Sequence, residues 1–186
     1  MATAQEARKG TNVKIDGEYF TVVDFTHIKL GRGGAFVRLK IKNIQTEAVL
    51  EKTFNPDAKI EFIRIEEKPM QYIYREGELY YFMDQETYEQ ISLNESILSN
   101  SKKYLKDNEP VHFLIIEEKV IGIKLPTFCE FKIKETEPQL KGARISGGLK
   151  PAVLETGAPV QVPLFIEAGD IVRVDTRTGE YIERVQ

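Results

Sequence analysis

Hydrophobic and polar residues alternate strictly from Ala35 to Lys42, where Val37, Leu39 and Ile41 interleave with Arg38, Lys40 and Lys42. A period of two marks a strand with one buried face. The run before it, Tyr19 to Ile28, is rich in aromatic and β-branched residues and reads as a second strand. Lys29-Leu30-Gly31-Arg32-Gly33-Gly34 joins the two, so the pattern predicts a β-hairpin with Arg32 at its tip. Glycine takes positive φ without penalty, which lets Gly31, Gly33 and Gly34 fold the backbone sharply around that cation.

The same pattern continues on both sides. Thr11 to Ile15, Glu18 to Asp24, Val49 to Phe54 and Ile60 to Ile65 read as short strands, with a tight turn at Asp16-Gly17. A small barrel buries such a sheet and removes its edges. Glu66-Glu67-Lys68-Pro69 is a polar break and a candidate boundary. Gln71 to Arg75 and Leu79 to Asp84 form a second hairpin, and Tyr88 to Leu93 a further strand. The stretch 94–107 predicts the one helix, capped by Asn94, with Ile97, Leu98, Tyr104 and Leu105 on one face. Val111 to Ile116 and Lys119 to Leu125 make a third hairpin through Glu117-Glu118. Strands return at 129–134, 152–155, 160–166, 170–175 and 180–185. The expected architecture is all-β, in three small barrel domains over 1–65, 66–128 and 129–186. An OB-type barrel suits the later two, since it needs only five short strands and often one helix.

Composition sharpens this picture. With 30% charged and 41% hydrophobic residues among 186, the chain has the make-up of a folded domain protein. No run approaches the roughly 18 apolar residues of a membrane span. The first residues lack the apolar core of a signal peptide, and Cys129 is the single cysteine, which excludes an internal disulfide framework. A cytoplasmic protein is expected. The net charge of −3 is unevenly spread: Met1 to Ile65 holds 11 Lys+Arg against 8 Asp+Glu, whereas Glu66 to Phe128 holds 7 against 12. Phe25 to Thr46 carries five basic residues and no acid. A local basic patch on an acidic chain implies a specific anionic contact, or else a solvated strand face. The tyrosines of the second hairpin read either as base-stacking platforms or as sheet packing. Pro138 to Leu154 has no acid and carries Lys141, Arg144 and Lys150, so it is a second phosphate contact or an ordinary solvent loop.

Catalytic constellations are missing from the sequence. His27 and His112 stand in strand-like runs without zinc-ligand spacing. Cys129, between Phe128 and Phe131, reads as a buried small apolar residue. Gly31-Arg32-Gly33-Gly34 lacks the spacing and the lysine-serine/threonine pair of a P-loop, and no GxSxG elbow appears. No catalytic residue, metal or cofactor is expected, and presentation of an arginine remains. Its guanidinium is a planar five-donor fork with permanent charge, suited to phosphate oxygens or to stacking on a base. Arg38, Lys40 and Lys42 are expected to meet phosphates along the approach.

Several strings carry a family resemblance. IDGEYF, KLGRGGAFVRLKIKN and EKTF lie in the first unit; LKG, SGG, KPAVLETGAPVQVPLFIEAGD and VDTRTGEYIERV lie in the last. From near Arg8 to its end the chain resembles the bacterial translation elongation factor P family. The resemblance implies a KOW-like (SH3-like) first barrel and two OB-type barrels in an elongated, tRNA-like L. It implies a monomeric, non-enzymatic factor that binds the 70S ribosome between the P and E sites, contacting ribosomal RNA and the P-site peptidyl-tRNA. Such a factor stimulates peptide-bond formation and relieves stalling at consecutive prolines. Residues Lys29, Gly31, Arg32, Gly33 and Gly34 match the tip that reaches the tRNA CCA end. Many members carry a modified lysine at the tip; here the matching residue is Arg32, which lacks the amine that β-lysylation needs. Another branch has arginine and rhamnosylates it, so Arg32 is either the acceptor of an arginine-modifying glycosyltransferase or unmodified. Leu30 stands where proline is common.

Ser99-Asn100-Ser101-Lys102-Lys103-Tyr104-Leu105 occupies the loop that reads roughly GDNAKYL in the family and approaches the exit-site codon. Lys102 and Lys103 are the expected contacts there. Ala143-Arg144-Ile145 replaces the usual Asp-Thr-Ala, turning an acid into a base. Tyr181 and Arg184 match the terminal motif and are expected on the small-subunit side. The rival reading is a free-standing OB-fold binder of single-stranded RNA or DNA acting off the ribosome.

Overall fold

The computed structural model describes residues 2–30, 34–138 and 148–185. Strands hold 61% of the described residues and helix 8%, which settles the all-β class. The chain forms two compact units, Met1–Lys68 with Phe113–Gly122, and Pro69–His112 with Ile123–Gln186.

The first sheet is built from β1 (Ala2–Thr3), β2 (Asn12–Ile15), β3 (Glu18–Leu30), β4 (Gly34–Asn43), β5 (Val49–Phe54) and β6 (Lys59–Phe62). Its strand order is β1-β6-β2-β3-β4-β5. The expected alternation is present in β4: Val37, Leu39 and Ile41 are fully buried, while Arg38 and Lys40 are exposed. Each buried aliphatic side chain contributes about 2 kcal/mol of transfer free energy. They pack with Val13, Phe20, Val22 and Ile60 into one core. Asp16 (φ 53) and Gly17 (φ 85) make the tight β2–β3 turn, where both central residues need positive φ.

The second sheet has the order β11-β10-β7-β8-β9, with β7 (Glu66–Glu76), β8 (Leu79–Asp84), β9 (Gln90–Asn94), β10 (Pro110–Ile116) and β11 (Lys119–Lys124). The residues read as a polar break, 66–69, are instead the start of β7, ahead of its pairing with β8 from Met70. The single long helix expected over 94–107 is a correction too. Asn94 does cap it, its Oδ1 accepting from the Ser96 amide at 3.0 Å. The α-helix nevertheless ends after Glu95–Leu98, and a 3-10 segment, Ser99–Tyr104, follows. Ser99 sits at φ 48, a left-handed conformation that no helix continues through. The run Ser-Asn-Ser competes for its own backbone groups and supplies little helix propensity to resist the break.

The third sheet runs β14-β13-β12-β15-β16, from β12 (Phe128–Thr136), β13 (Leu149–Leu154), β14 (Pro159–Pro163), β15 (Ile171–Asp175) and β16 (Glu180–Val185). β14 returns alongside β16, so the sheet curls around Phe131, Ile133, Leu154, Val162, Ile166 and Val172. Cys129 is buried among them, as expected of a small apolar residue. Burial, and then Glu109 beside it, push its thiol up to about 12. In the same unit the Tyr104 ring packs on Phe131 with centroids 6.0 Å apart. Lys106 Nζ donates to the Glu130 carbonyl at 2.9 Å. Segment 104–109 is thereby fastened to β12.

Candidate RNA interface

The β3–β4 ladder continues unbroken from Asp24 opposite Lys40 out to Leu30 opposite Gly34. Val37 is the last fully buried residue of β4, and Gly34 lies three residues beyond it, so the hairpin projects about 10 Å past the core at about 3.4 Å per residue. Gly34 sits at φ +95 with nothing within 4 Å of where a Cβ would stand. Glycine is needed there for conformation, not for room. Gly31, Arg32 and Gly33 lie outside the described residues. Further in, the register shifts between Val22 and Asp24. A bulge of this kind bends and twists its strand, which aims the projecting arm.

Strand pairing arranges the outer face of β3–β4–β5 in rows. Arg38 lies opposite Thr26 on one side and Thr53 on the other, and all three are exposed. The next row inward places Lys40 between Asp24 and Glu51. Directly opposed side chains start about 5 Å apart, and an exposed opposite charge at that range offsets the cation by up to about 1 kcal/mol. Lys42 Nζ reaches Glu47 Oε1 at 3.3 Å. The basic stripe of the sequence is therefore compensated at two of its three lysine and arginine positions, and Arg38 alone is flanked by hydroxyls.

The other predicted positions scatter. Lys102 is ion-paired with Glu95, which also takes Arg75 at 3.1 Å; the Lys102 ammonium holds the Glu95 carboxyl below its usual range. Lys103 is exposed. Lys150 is 5% exposed, and its ammonium donates to the Glu137 carbonyl at 2.6 Å. That ammonium is spent inside the fold. Lys141 and Arg144 fall outside the described residues, and so does the side chain of Lys29. Tyr181 packs against the third core, where burial raises its hydroxyl. Arg184 pairs with Asp170 at 3.6 Å and lies 5.9 Å over the Phe165 ring.

The second-hairpin tyrosines are engaged in sheet packing. Tyr72 and Tyr80 are buried with Phe82, and burial pushes the Tyr72 hydroxyl up to about 12. Tyr74 and Tyr81 stack on each other, centroids 4.5 Å apart and planes 11° from parallel, so each ring already has an aromatic partner. Asp24, Glu51, Thr26 and Thr53 escaped the sequence reading because they lie in the strands beside β4. Counting inward from the turn, with Leu30 opposite Gly34, would have found Asp24 and Thr26, since the bulge comes only beyond them.

The chain matches known proteins along its length. Residues 3–60 match the elongation factor P KOW-like domain, 65–123 the elongation factor P OB domain, and 129–184 the elongation factor P C-terminal domain. A relative from Thermoanaerobacter sp. (strain X514), named elongation factor P, is 53% identical over 185 residues, with both chains covered completely. One of the same name from Moorella thermoacetica is 52% identical, covering 99% of this chain and 100% of its own. Among solved structures, a translation initiation factor eIF-5A family protein from Naegleria fowleri shares the fold at 18% identity and a TM-score of 0.51, over 67% of this chain and 96% of its own. With a KOW-like first domain, an OB domain and the matching C-terminal domain spanning its length, the chain belongs to the elongation factor P family.

Proposed function

We propose that this chain is a translation elongation factor that binds the ribosome between the P and E sites and speeds peptide-bond formation where consecutive prolines stall it. The observation that carries this reading is the β3–β4 arm, which projects about 10 Å beyond the first core and ends in the glycine-framed Arg32. An arm of that reach brings a permanent cation to a polyanion while the barrel stays at a distance. Arg32 meets the CCA end of P-site tRNA, and its guanidinium fork limits the freedom of the reactive end. Catalysis stays with the ribosome; the factor lowers the entropy cost of reaching the reactive geometry. The divisions 1–65, 66–128 and 129–186 are the domains of this reading; the first two sheets fall within the first two, and the third begins one residue ahead of the last, at Phe128.

Arg32 is also the position at which an arginine-directed glycosyltransferase would act, and intact-mass analysis of protein from its own host distinguishes a rhamnosylated guanidinium from a bare one. The function itself is tested in a reconstituted translation system. Added protein should raise the yield of a reporter containing consecutive prolines and leave a proline-free reporter unchanged. An equal effect on both reporters, or none on either, would refute it.

A further inference from the structure

We propose that the outer face of β3–β4–β5 holds a single RNA-backbone phosphate site, made by Arg38 together with Thr26 and Thr53, and that Lys40 and Lys42 are not part of it. This rests on the ribosome-binding reading and narrows it to one row of the sheet.

Three observations converge on that row. Arg38 is exposed and forms no ion pair among the described residues, whereas its two basic neighbours along β4 face carboxylates. Thr26 and Thr53 stand directly across from it on the two adjoining strands. With strands about 4.8 Å apart, a threonine stands on each side of Arg38. A phosphate seated over Arg38 takes two N–H donors from the fork and an O–H from each threonine. The rows on either side define the site further. Toward the tip, Ile28 lies opposite Phe36, both half-buried, an apolar pair that suits the sugar of a nucleotide. Inward, Asp24 and Glu51 flank Lys40 and repel a second phosphate. The face thus accepts the backbone at one register instead of sliding along a uniform basic stripe, and this register fixes how far the Arg32 tip reaches.

The experiment measures equilibrium binding of the full-length protein to 70S ribosomes, with tRNA in the P site or with that site empty, across about 50–200 mM monovalent salt. Wild type is compared with Arg38→Gln, Lys40→Gln and the pair Thr26→Val and Thr53→Val, all exposed positions where valine keeps strand propensity. Arg38→Gln should weaken binding about tenfold and reduce the slope of log K against log salt by about one. Each threonine variant should cost about threefold with the slope unchanged, and Lys40→Gln less than about twofold. An Arg38 effect that disappears when the P site is empty assigns the phosphate to tRNA; one that persists assigns it to ribosomal RNA. Equal losses for Arg38→Gln and Lys40→Gln, or wild-type binding by Arg38→Gln, would overturn the row while leaving the ribosome reading intact. A loss at Arg38 with an unchanged salt slope would put a protein carboxylate there and overturn the phosphate. Failure of the wild-type protein to bind ribosomes would overturn the broader reading itself.

Discussion

Replacing Gly179 with alanine perturbs the fold at the point where Tyr104 is held. Gly179 lies in the β15–β16 turn at φ +75, and a Cβ built there would stand 2.6 Å from the Tyr104 hydroxyl oxygen. Two costs follow. The left-handed backbone costs an L-residue about 1–2 kcal/mol. The hydroxyl must also retreat by nearly 1 Å, and since the ring is packed on Phe131, it does so by leaving its rotamer, at about 1 kcal/mol. Alanine recovers about 0.5 kcal/mol by restricting the unfolded chain, which leaves a net loss of about 2 kcal/mol. For a chain of this length that lowers Tm by about 4–8 °C. The discriminating measurement is a double-mutant cycle by thermal and urea unfolding. In a Tyr104→Phe background the nearest remaining atom is Cζ at 3.9 Å, an ordinary contact, so Gly179→Ala should then cost only about 1 kcal/mol. Equal losses in both backgrounds would show that the Cβ never meets Tyr104 and would refute the steric account.

Two further predictions concern titratable groups. Asp175 accepts from the Arg177 amide at 2.9 Å, from Nε at 3.0 Å and from a terminal nitrogen at 2.6 Å; the Arg177 side chain is the main cause holding its carboxyl at about 2. A depressed carboxyl stabilises the fold above its ordinary range and loses that contribution as pH falls from about 4 toward 2. With Arg177 open to solvent the contribution is about 1 kcal/mol, so urea midpoints of wild type and Asp175→Asn should differ at pH 6 and converge near pH 2. The Cys129 thiol, raised to about 12 by burial and Glu109, should react with a thiol reagent at pH 8 at least about a hundredfold more slowly in the folded protein than in denaturant. Comparable rates would contradict its burial.

Strand content and hairpins were legible because alternation and turn chemistry are local. The Val37-Leu39-Ile41 face, the Asp16-Gly17 turn and the Asn94 cap all follow from a few adjacent residues. Lys150 was misjudged on its charge, although Lys150, Ala152 and Leu154 fall on one face at strand spacing, and the pattern places it inward. A lysine stem can line a core while its ammonium finds a carbonyl at the rim. The break at Ser99 was less accessible. Leu98 and Leu105 are both buried, and seven residues apart they would share one face of a regular helix as well, so the apolar pattern gives no sign of the break. Cross-strand pairing was the largest loss, because composition treats Arg38, Lys40 and Lys42 alike. Register separates them.

In the proposed function the Arg32 tip acts on tRNA while the rest of the protein carries it. The most direct measurement is the single-turnover rate of peptide-bond formation between successive prolines on ribosomes saturated with wild type or with Arg32→Ala. Arg32→Ala should keep the wild-type Tm and still occupy the ribosome, yet accelerate the reaction no more than buffer does. Full acceleration by the folded, ribosome-bound variant would contradict it.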